Sequence, residues 1–492
     1  MFNDNDVLLL GTEIDKILEK SEADAMDKID PTKDDMWKMI FTVRDYVIEK
    51  NRKIYGGFAL NKLIETVAPN DKFYDTNNVK AWDIDFYSPD PIGDANEIAN
   101  RLFAKGYKYV RVIEAQHDET YKVFANTFDC ADITFVPNAI YNAIPSQIID
   151  NMTITGPIFL MIDYFRMLTD PLNSYFRLDK SFRRLNLLQK YFPVPKQHSN
   201  KIRTSNSNDV QTLGHDVVYD FIKNRNTCIV IGTYQYNYYV SYVKDNCNDI
   251  TNINYYEIIS TNYKNDALEL ISKLNDKFKL LKNGTITYTE YYPFFQYTGF
   301  SVTIYLNKQK ICKMYHYNMK CTPYMQVAAK YFTKETCEEQ NKDTIQIGTF
   351  SLLMLYCLID IAKAKVHNDI KSENNCYIMI NNVIKLKNHY LSKHKKTLMD
   401  DTLFREFTIN CIGATYSPMM EKLIRIEEKR KNGKQYIYKY DPSTDKSNAK
   451  NYRFKNSTGC QIQNKSNLKL TDDDKANSFY EYENDDVSNC SQ

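Results

Sequence analysis

Trp82-Asp83-Ile84-Asp85-Phe86-Tyr87-Ser88-Pro89-Asp90 is the stretch on which the reading of this chain turns. Taken as a strand over 81–88, it sends Trp82, Ile84 and Phe86 to one packed face and Asp83, Asp85 and Tyr87 to the other. Two carboxylates on one strand face repel each other unless a cation lies between them, and a divalent metal with a preference for oxygen ligands answers that need. A second alternation, Phe128-Asp129-Cys130-Ala131-Asp132-Ile133-Thr134-Phe135-Val136, sets Asp132 opposite a packed face of Ala131, Ile133 and Phe135. If the two strands are neighbours, Asp83, Asp85 and Asp132 converge on one point.

Upstream, Ile54-Tyr55-Gly56-Gly57-Phe58-Ala59-Leu60-Asn61-Lys62-Leu63-Ile64 reads as strand, glycine turn and helix. Glycine lets the backbone approach a phosphate closely, and the helix start that follows points N–H groups at the anion. These parts together suit a bound triphosphate next to two metals, one activating a hydroxyl and the other stabilising the leaving pyrophosphate. An Asp-x-Asp pair alone is common on solvated faces. The specificity lies in the ordered set of apolar strand, Gly-Gly, helix, paired aspartates and third aspartate.

Tyr55-Gly56-Gly57-Phe58-Ala59-Leu60-Asn61, Trp82 to Asp90, Ala131-Asp132-Ile133-Thr134 and the basic helical stretch after them resemble the polymerase-beta-type nucleotidyltransferase superfamily. More narrowly, the chain resembles the poly(A) polymerase catalytic subunits of large cytoplasmic DNA viruses, most firmly over residues 50–190. The resemblance implies an α+β fold with a mixed sheet, catalytic and metal-binding Asp83, Asp85 and Asp132, two Mg²⁺ or Mn²⁺ ions, ATP as donor and an RNA 3′ end as acceptor without a DNA template. It also implies work in the cytoplasm at the viral factory of an infected host, with packaging in the virion as a further option. The gap from Gly57 to Asp83 is longer than in many members of the superfamily, which leaves the placement of residues 65–80 open.

Along the chain, residues 1–50 read as a helical segment and 51–195 as the catalytic unit with a basic helical extension. A polar linker over 196–212, a second mixed segment over 213–320, a helical region over 321–440 and a flexible polar tail over 441–492 follow. The two mixed segments look like copies of one unit. Gly56-Gly57 matches Gly232-Thr233, Asp94 matches Asp266, Trp82-Asp83-Ile84-Asp85 matches Tyr256-Glu257-Ile258-Ile259, and Asp132 matches Ser301. On that alignment Asp85 has become Ile259, and the second unit is a degenerate, inactive nucleotidyltransferase-like domain. In the basic stretch, Arg177, Lys180 and Arg184 recur three or four apart, suited to triphosphate or RNA backbone, and Tyr175 or Phe176 suits stacking on a base. With Gly56, Gly57 and Asn61 these are the candidate nucleotide contacts. A solvated amphipathic helix packing on the catalytic unit accounts for the same stretch equally well.

Lys plus Arg is 64 and Asp plus Glu 62, a net charge of 64 − 62 = +2, which excludes no nucleic-acid site because only a local basic face is needed. The start of the chain lacks a secretory pattern, no apolar run reaches the roughly 20 residues of a membrane helix, and Phe350 to Ile359 reads as a buried helix. A soluble intracellular protein with its 11 scattered cysteines reduced is expected. His367-Asn368-Asp369-Ile370-Lys371-Ser372-Glu373-Asn374 has the spacing of a protein-kinase catalytic loop, but neither the metal-binding Asp-Phe-Gly nor a glycine-rich loop with an apolar Lys strand accompanies it. The readings left beside a poly(A) polymerase are another RNA terminal nucleotidyltransferase or an oligoadenylate synthase, a non-enzymatic RNA-binding or assembly module, and a kinase-like protein. A homodimer or a viral processivity partner is left open.

Overall fold

A computed structural model of the chain describes residues 2–75, 77–197, 202, 209–244, 250–332, 337–407, 410–431, 438–445, 454–455, 457–463, 465 and 468–470. Helix α1 (Asp4–Lys28) opens with a capping box between Asn3 and Asp6, and α2 (Lys33–Glu49) with one between Thr32 and Asp35. No residue of α1 is buried, whereas α2 buries Met39, Ile40, Val43, Tyr46 and Val47, the apolar stripe visible in its spacing. The chain divides into two units: Met1–Phe135 with Ser146–Thr155 and Gln435–Tyr452, and Val136–Pro145 with Gly156–Lys434 and Arg453–Gln492.

The first unit is built on β1 (Lys53–Tyr55), β2 (Asp85–Ser88), β3 (Arg111–Glu114), β4 (Thr120–Ala125), β5 (Phe128–Phe135), β6 (Ser146–Ile149) and β7 (Met152–Thr155). With a short strand at Lys439–Tyr440 on its edge, the sheet runs Lys439–Tyr440, β3, β4, β5, β2, β1, β7, β6. The pairs β2–β5 and β1–β7 are parallel and the rest antiparallel. Helices α3 (Gly56–Val67) and α4 (Pro91–Ala104) follow β1 and β2. The strand expected over 81–88 begins only at Asp85. Its partner β1 ends at Tyr55 opposite Asp85, so the β1–β2 ladder stops there, and a 3₁₀ turn occupies Val79–Ala81. Trp82 instead sits among Trp37, Phe41 and Phe58, with ring centroids 5.0–6.1 Å apart.

In the second unit, helices α5 (Asn138–Ala143), α6 (Pro157–Leu168), α7 (Pro171–Ser174) and α8 (Leu178–Tyr191) precede α9 (Asp209–Ile222). The sheet contains β8 (Cys228–Ile231), β9 (Tyr256–Ser260), β10 (Ile286–Tyr291), β11 (Ser301–Leu306), β12 (Gln309–His316), β13 (Thr322–Phe332) and β14 (Cys337–Gly348). Helices α10 (Gly232–Lys244) and α11 (Tyr263–Leu281) lie between its strands in the chain, and α12 (Phe350–Val366), α13 (Ile370–His394) and α14 (Pro418–Lys431) follow. The order is β10, β11, β12, β9, β8, β14, β13, ending on a short strand at Cys411–Ile412. Strand for strand, with the same parallel and antiparallel pairs, it repeats the run from β3 to β6.

Several sequence expectations change here. The helical region expected from 321 begins with two long strands, β13 and β14, which complete the second sheet. Of the linker expected over 196–212, residues 198–201 and 203–208 lie outside the described residues, and 209–212 are already helix α9. Parts of the tail expected after 441 are packed, with Ser457, Thr458, Ile462, Lys469 and Leu470 buried. Thr458 and Gln461 bridge to Phe294 and Tyr291, and the buried Glu290 carboxylate accepts the backbone N–H of Lys469 at 3.0 Å and of Leu470 at 3.1 Å. Those contacts are made largely by backbone, which leaves no apolar pattern to read; residues 471–492 lie outside the described residues. The thiols of Cys321 and Cys411 are joined as a disulfide rather than reduced. Helix α12 is buried nearly all round, as its composition suggests. The kinase-like stretch is the turn between α12 and α13, where Asp369 caps α13 by accepting the Ser372 N–H at 3.0 Å. No helix among the described residues is long and apolar enough to cross a membrane.

Candidate active site

Asp85 is the first residue of β2 and stands directly opposite Asp132 of the parallel neighbour β5. On its other side Asp85 pairs with Tyr55, the last residue of β1, immediately before the glycine turn. The two carboxylates therefore meet at the end of β1 where α3 starts. Asp83 lies just ahead of the strand, and its carbonyl accepts the Asp85 N–H at 3.2 Å, so the backbone turns between them. Gly56 has φ +74°, and a Cβ added there would lie 2.8 Å from Asp85 Oδ2. The glycine is thus required first by the aspartate beside it, and Gly57 follows in the first turn of α3.

Burial first, then the charges of Asp83 and Asp132, pushes the Asp85 carboxyl well above the usual carboxylate range, against the pull of Lys122. Asp132 is pushed up to about 6, chiefly by burial, with Lys122 opposing. Lys122 on β4 was not singled out in the sequence. It faces Asp132 across the β4–β5 ladder, with Nζ 2.8 Å from Asp132 and 2.6 Å from Asp129. A lysine in the middle of the otherwise apolar run Thr120-Tyr121-Lys122-Val123-Phe124-Ala125 is the signal that marks it. Tyr55 and Tyr87 stack at 4.0 Å, and the Tyr55 hydroxyl lies 2.8 Å from that of Thr134.

Among the described residues no three His, Cys, Asp or Glu side chains close on a common point as a preformed metal cluster. The donor set nevertheless suits a hard divalent cation. Its members are oxygen acids, the ionisation of Asp85 and Asp132 is held back by burial and by neighbouring carboxylates, and the buried Asp132 Oδ1 makes no regular hydrogen bond although Lys122 stands beside it. A cation held by these carboxylates would relieve their repulsion.

Asn61, a candidate nucleotide contact, is turned into the protein. It is fully buried in α3, and its carbonyl oxygen accepts the backbone N–H groups of Phe73 and Tyr74 at 3.0 and 2.9 Å. It thereby fastens the segment leading to Asp83, the part the sequence left unplaced. Tyr175 and Arg177 belong to a 3₁₀ turn and Lys180 and Arg184 to α8, all in the second unit. Tyr175 and Phe176 are 71% and 67% exposed and in edge-to-face contact, and the Arg177 guanidinium lies over the Phe176 ring.

The second unit keeps the frame and changes the chemistry. Gly232 repeats the positive φ of Gly56, at +65°, and a side chain there would collide with the carboxylate of Glu257. Glu257 pairs with Ile231 on β8 as Asp85 pairs with Tyr55, so Glu257 corresponds to Asp85, not Asp83. Across the parallel neighbour β12, Glu257 faces Lys313, which corrects the match of Asp132 to Ser301. Ser301 lies on β11, the counterpart of β4, and Ile259 lies further along β9. The buried pair Arg52–Asp94 is repeated as Arg225–Asp266.

The fold is that of a nucleotidyltransferase. A family model described as poly(A) polymerase catalytic subunit matches residues 41–174, and one described as the C-terminal part of the putative poly(A) polymerase catalytic subunit of APMV matches residues 186–472. The putative poly(A) polymerase catalytic subunit of Acanthamoeba polyphaga mimivirus is 30% identical over 498 residues, covering 94% of this chain and 83% of that protein. That of African swine fever virus (strain Badajoz 1971 Vero-adapted) is 29% identical over 159 residues, 31% of this chain and 33% of that protein. The crystal structure of the Megavirus polyadenylate synthase is similar with a TM-score of 0.83 at 31% identity, covering 95% of this chain and 94% of that one. This chain belongs to the viral poly(A) polymerase catalytic-subunit family.

Proposed function

We propose that the chain is a template-independent poly(A) polymerase, transferring AMP from ATP to the 3′ end of RNA with release of pyrophosphate. The observation that carries the reading is the register of Asp85 against Asp132 beside the Gly56 turn, where two half-buried carboxylates oppose each other at a helix start. Family membership supports adenylyl transfer to RNA over other donors and acceptors.

Asp83, Asp85 and Asp132 would hold two Mg²⁺ or Mn²⁺ ions, which supply Lewis-acid activation of the 3′ hydroxyl and charge neutralisation at the pyrophosphate. The protein's own contributions are separate. The start of α3 at Gly56 and Gly57 offers free N–H groups to the triphosphate. Lys122 keeps Asp132 ionised and oriented through its ammonium. Arg177, Lys180 and Arg184 supply positive charge for phosphates, and Tyr175 and Phe176 offer exposed rings to bases.

The test is tail addition to a labelled RNA with each NTP in turn, in Mg²⁺ and in Mn²⁺, for the chain and for its Asp83→Ala/Asp85→Ala variant. Extension with ATP that the variant abolishes is expected. Undiminished activity of the variant overturns the site, and extension from UTP but not ATP overturns the adenylyl reading.

A further inference from the structure

The second unit retains the helix start, the positive-φ glycine and the strand register of the first, yet sets a lysine where the third aspartate stands. Tyr255 and Glu257 occupy the places before and at the strand that Asp83 and Asp85 occupy in the first unit, and Lys313 takes the place of Asp132. We propose that this second site is a metal-independent phosphate-binding site, taking the phosphates of a nucleotide or of an RNA backbone on Lys313, Lys310 and Lys363.

Charge balance points there. In the first unit three aspartates face one lysine, Lys122, so positive charge must be imported before a triphosphate can approach. In the second unit three ammonium groups face Glu257 and Asp360, and the positive charge is built in. Among the described residues neither Lys310 nor Lys313 has a carboxylate within ion-pair distance, and Lys363 reaches Asp360 only at 3.5 Å. The ammonium groups lie over aromatic rings instead. Lys310 Nζ is 4.4 Å from the centre of Tyr255, and Lys313 and Lys363 are 4.9 and 5.0 Å from the centre of the same Tyr315 ring. Two cations on one ring repel each other, and an anion between them removes the repulsion. Burial, followed by Lys363 and Lys310, pulls the Lys313 ammonium below its ordinary range, as expected of a cation short of counter-charge. The α10 helix start at Gly232 adds N–H groups at the same end of the sheet. The proposal does not depend on the first site being catalytic.

The test uses the full chain in EDTA, which silences metal-dependent binding at the first site. Binding of a fluorescent oligo(A) RNA is followed by anisotropy and binding of ATP by calorimetry, for the chain, for Lys313→Gln and for Lys363→Gln. Lys363 lies on helix α12 rather than in the sheet, so its variant keeps the test open if Lys313→Gln does not fold; melting temperature monitors that. A loss of about tenfold in affinity, with the salt slope shallower by about one, is expected for the ligand that uses the site, and Lys313→Arg restores it. Loss confined to RNA assigns the backbone as occupant, and loss confined to ATP assigns the nucleotide. Unchanged affinity for both ligands in a folded Lys363→Gln variant overturns the proposal.

Discussion

A Cβ on Gly56 would stand 2.8 Å from Oδ2 of Asp85, so the residue that opens α3 and the residue that opens β2 exclude each other's growth. Gly56→Ala must both adopt a left-handed backbone, at about 1 kcal/mol, and displace the aspartate. A modest drop in melting temperature is expected together with a loss of tail addition of about a hundredfold or more, since an ångström of misplacement at a reacting centre is worth that much. Wild-type turnover by a folded Gly56→Ala variant would refute this account of the turn.

Asp85→Asn is expected to separate activity from stability. The folded protein resists ionising Asp85, because burial and then Asp83 and Asp132 disfavour its charge. The amide removes that penalty, so at pH 8 and without metal the variant should melt at or above the temperature of the parent. Tail addition should fall about a thousandfold or more. A large fall in melting temperature would mean that the carboxylate is needed by the fold.

Metal binding should weaken in acid. Asp132 is pushed up to about 6, so below that pH an incoming cation must displace a proton. Mn²⁺ affinity, followed by electron paramagnetic resonance, should fall by at least about tenfold per pH unit below 6, with Asp132 taking up one proton and the raised Asp85 adding to the slope. For the metal-free fold the sign is opposite: a raised acid contributes stability below its unfolded value, and that contribution is lost as pH rises through 6. Mn²⁺ affinity independent of pH between 5 and 7 would remove Asp132 from the ligand set.

The two buried ion pairs should behave alike. Asp94 is 3% exposed and takes Arg52 at 2.7 Å and the Tyr46 hydroxyl at 2.7 Å; Asp266 is 1% exposed and takes Arg225 and the Ser260 hydroxyl. Asp94→Ala or Asp266→Ala takes away the buried carboxylate that holds the guanidinium, and each should destabilise by about 3–5 kcal/mol in chemical denaturation, Asp266→Ala at the lower end because Arg225 keeps Glu269 at 2.6 Å. An effect below about 1 kcal/mol at either position would show that the repeated pair is not a structural strut.

Tyr175→Ala/Phe176→Ala should leave the melting temperature unchanged, because both rings are mostly exposed. If they stack on bases, RNA affinity falls by about 1–3 kcal/mol per base lost, readable as a higher KM for the RNA primer at constant KM for ATP. Unaltered RNA binding would return the pair to the surface.

Much of this was legible in the residues. The glycine turn, the helices flanking it, Asp85 opposite Asp132 and the repeated unit follow from alternation and spacing. The errors have physical causes. Aligning letters side by side pairs Glu257 with Asp83, while the counterpart of Asp85 is fixed by which residue pairs with the end of the preceding strand. Lys313 was missed as the counterpart of Asp132 because a substitution that reverses charge has no residual likeness. Asn61 reads as a ligand contact in a motif, yet its carbonyl is taken up by the backbone of Phe73 and Tyr74, a long-range bond without a sequence pattern. β13 and β14 mix polar and apolar residues in a way that does not separate strand from helix.

The strand at Lys439–Tyr440 lies on the edge of a sheet whose other strands all lie between residues 53 and 155, and Thr458, Gln461, Lys469 and Leu470 bond to the second unit's Phe294, Tyr291 and Glu290. On the ribosome, the first sheet waits through nearly 300 further residues for its last strand. Neither unit is finished until residues beyond 434 have been translated, and a single proteolytic cut between 156 and 434 divides the chain of both.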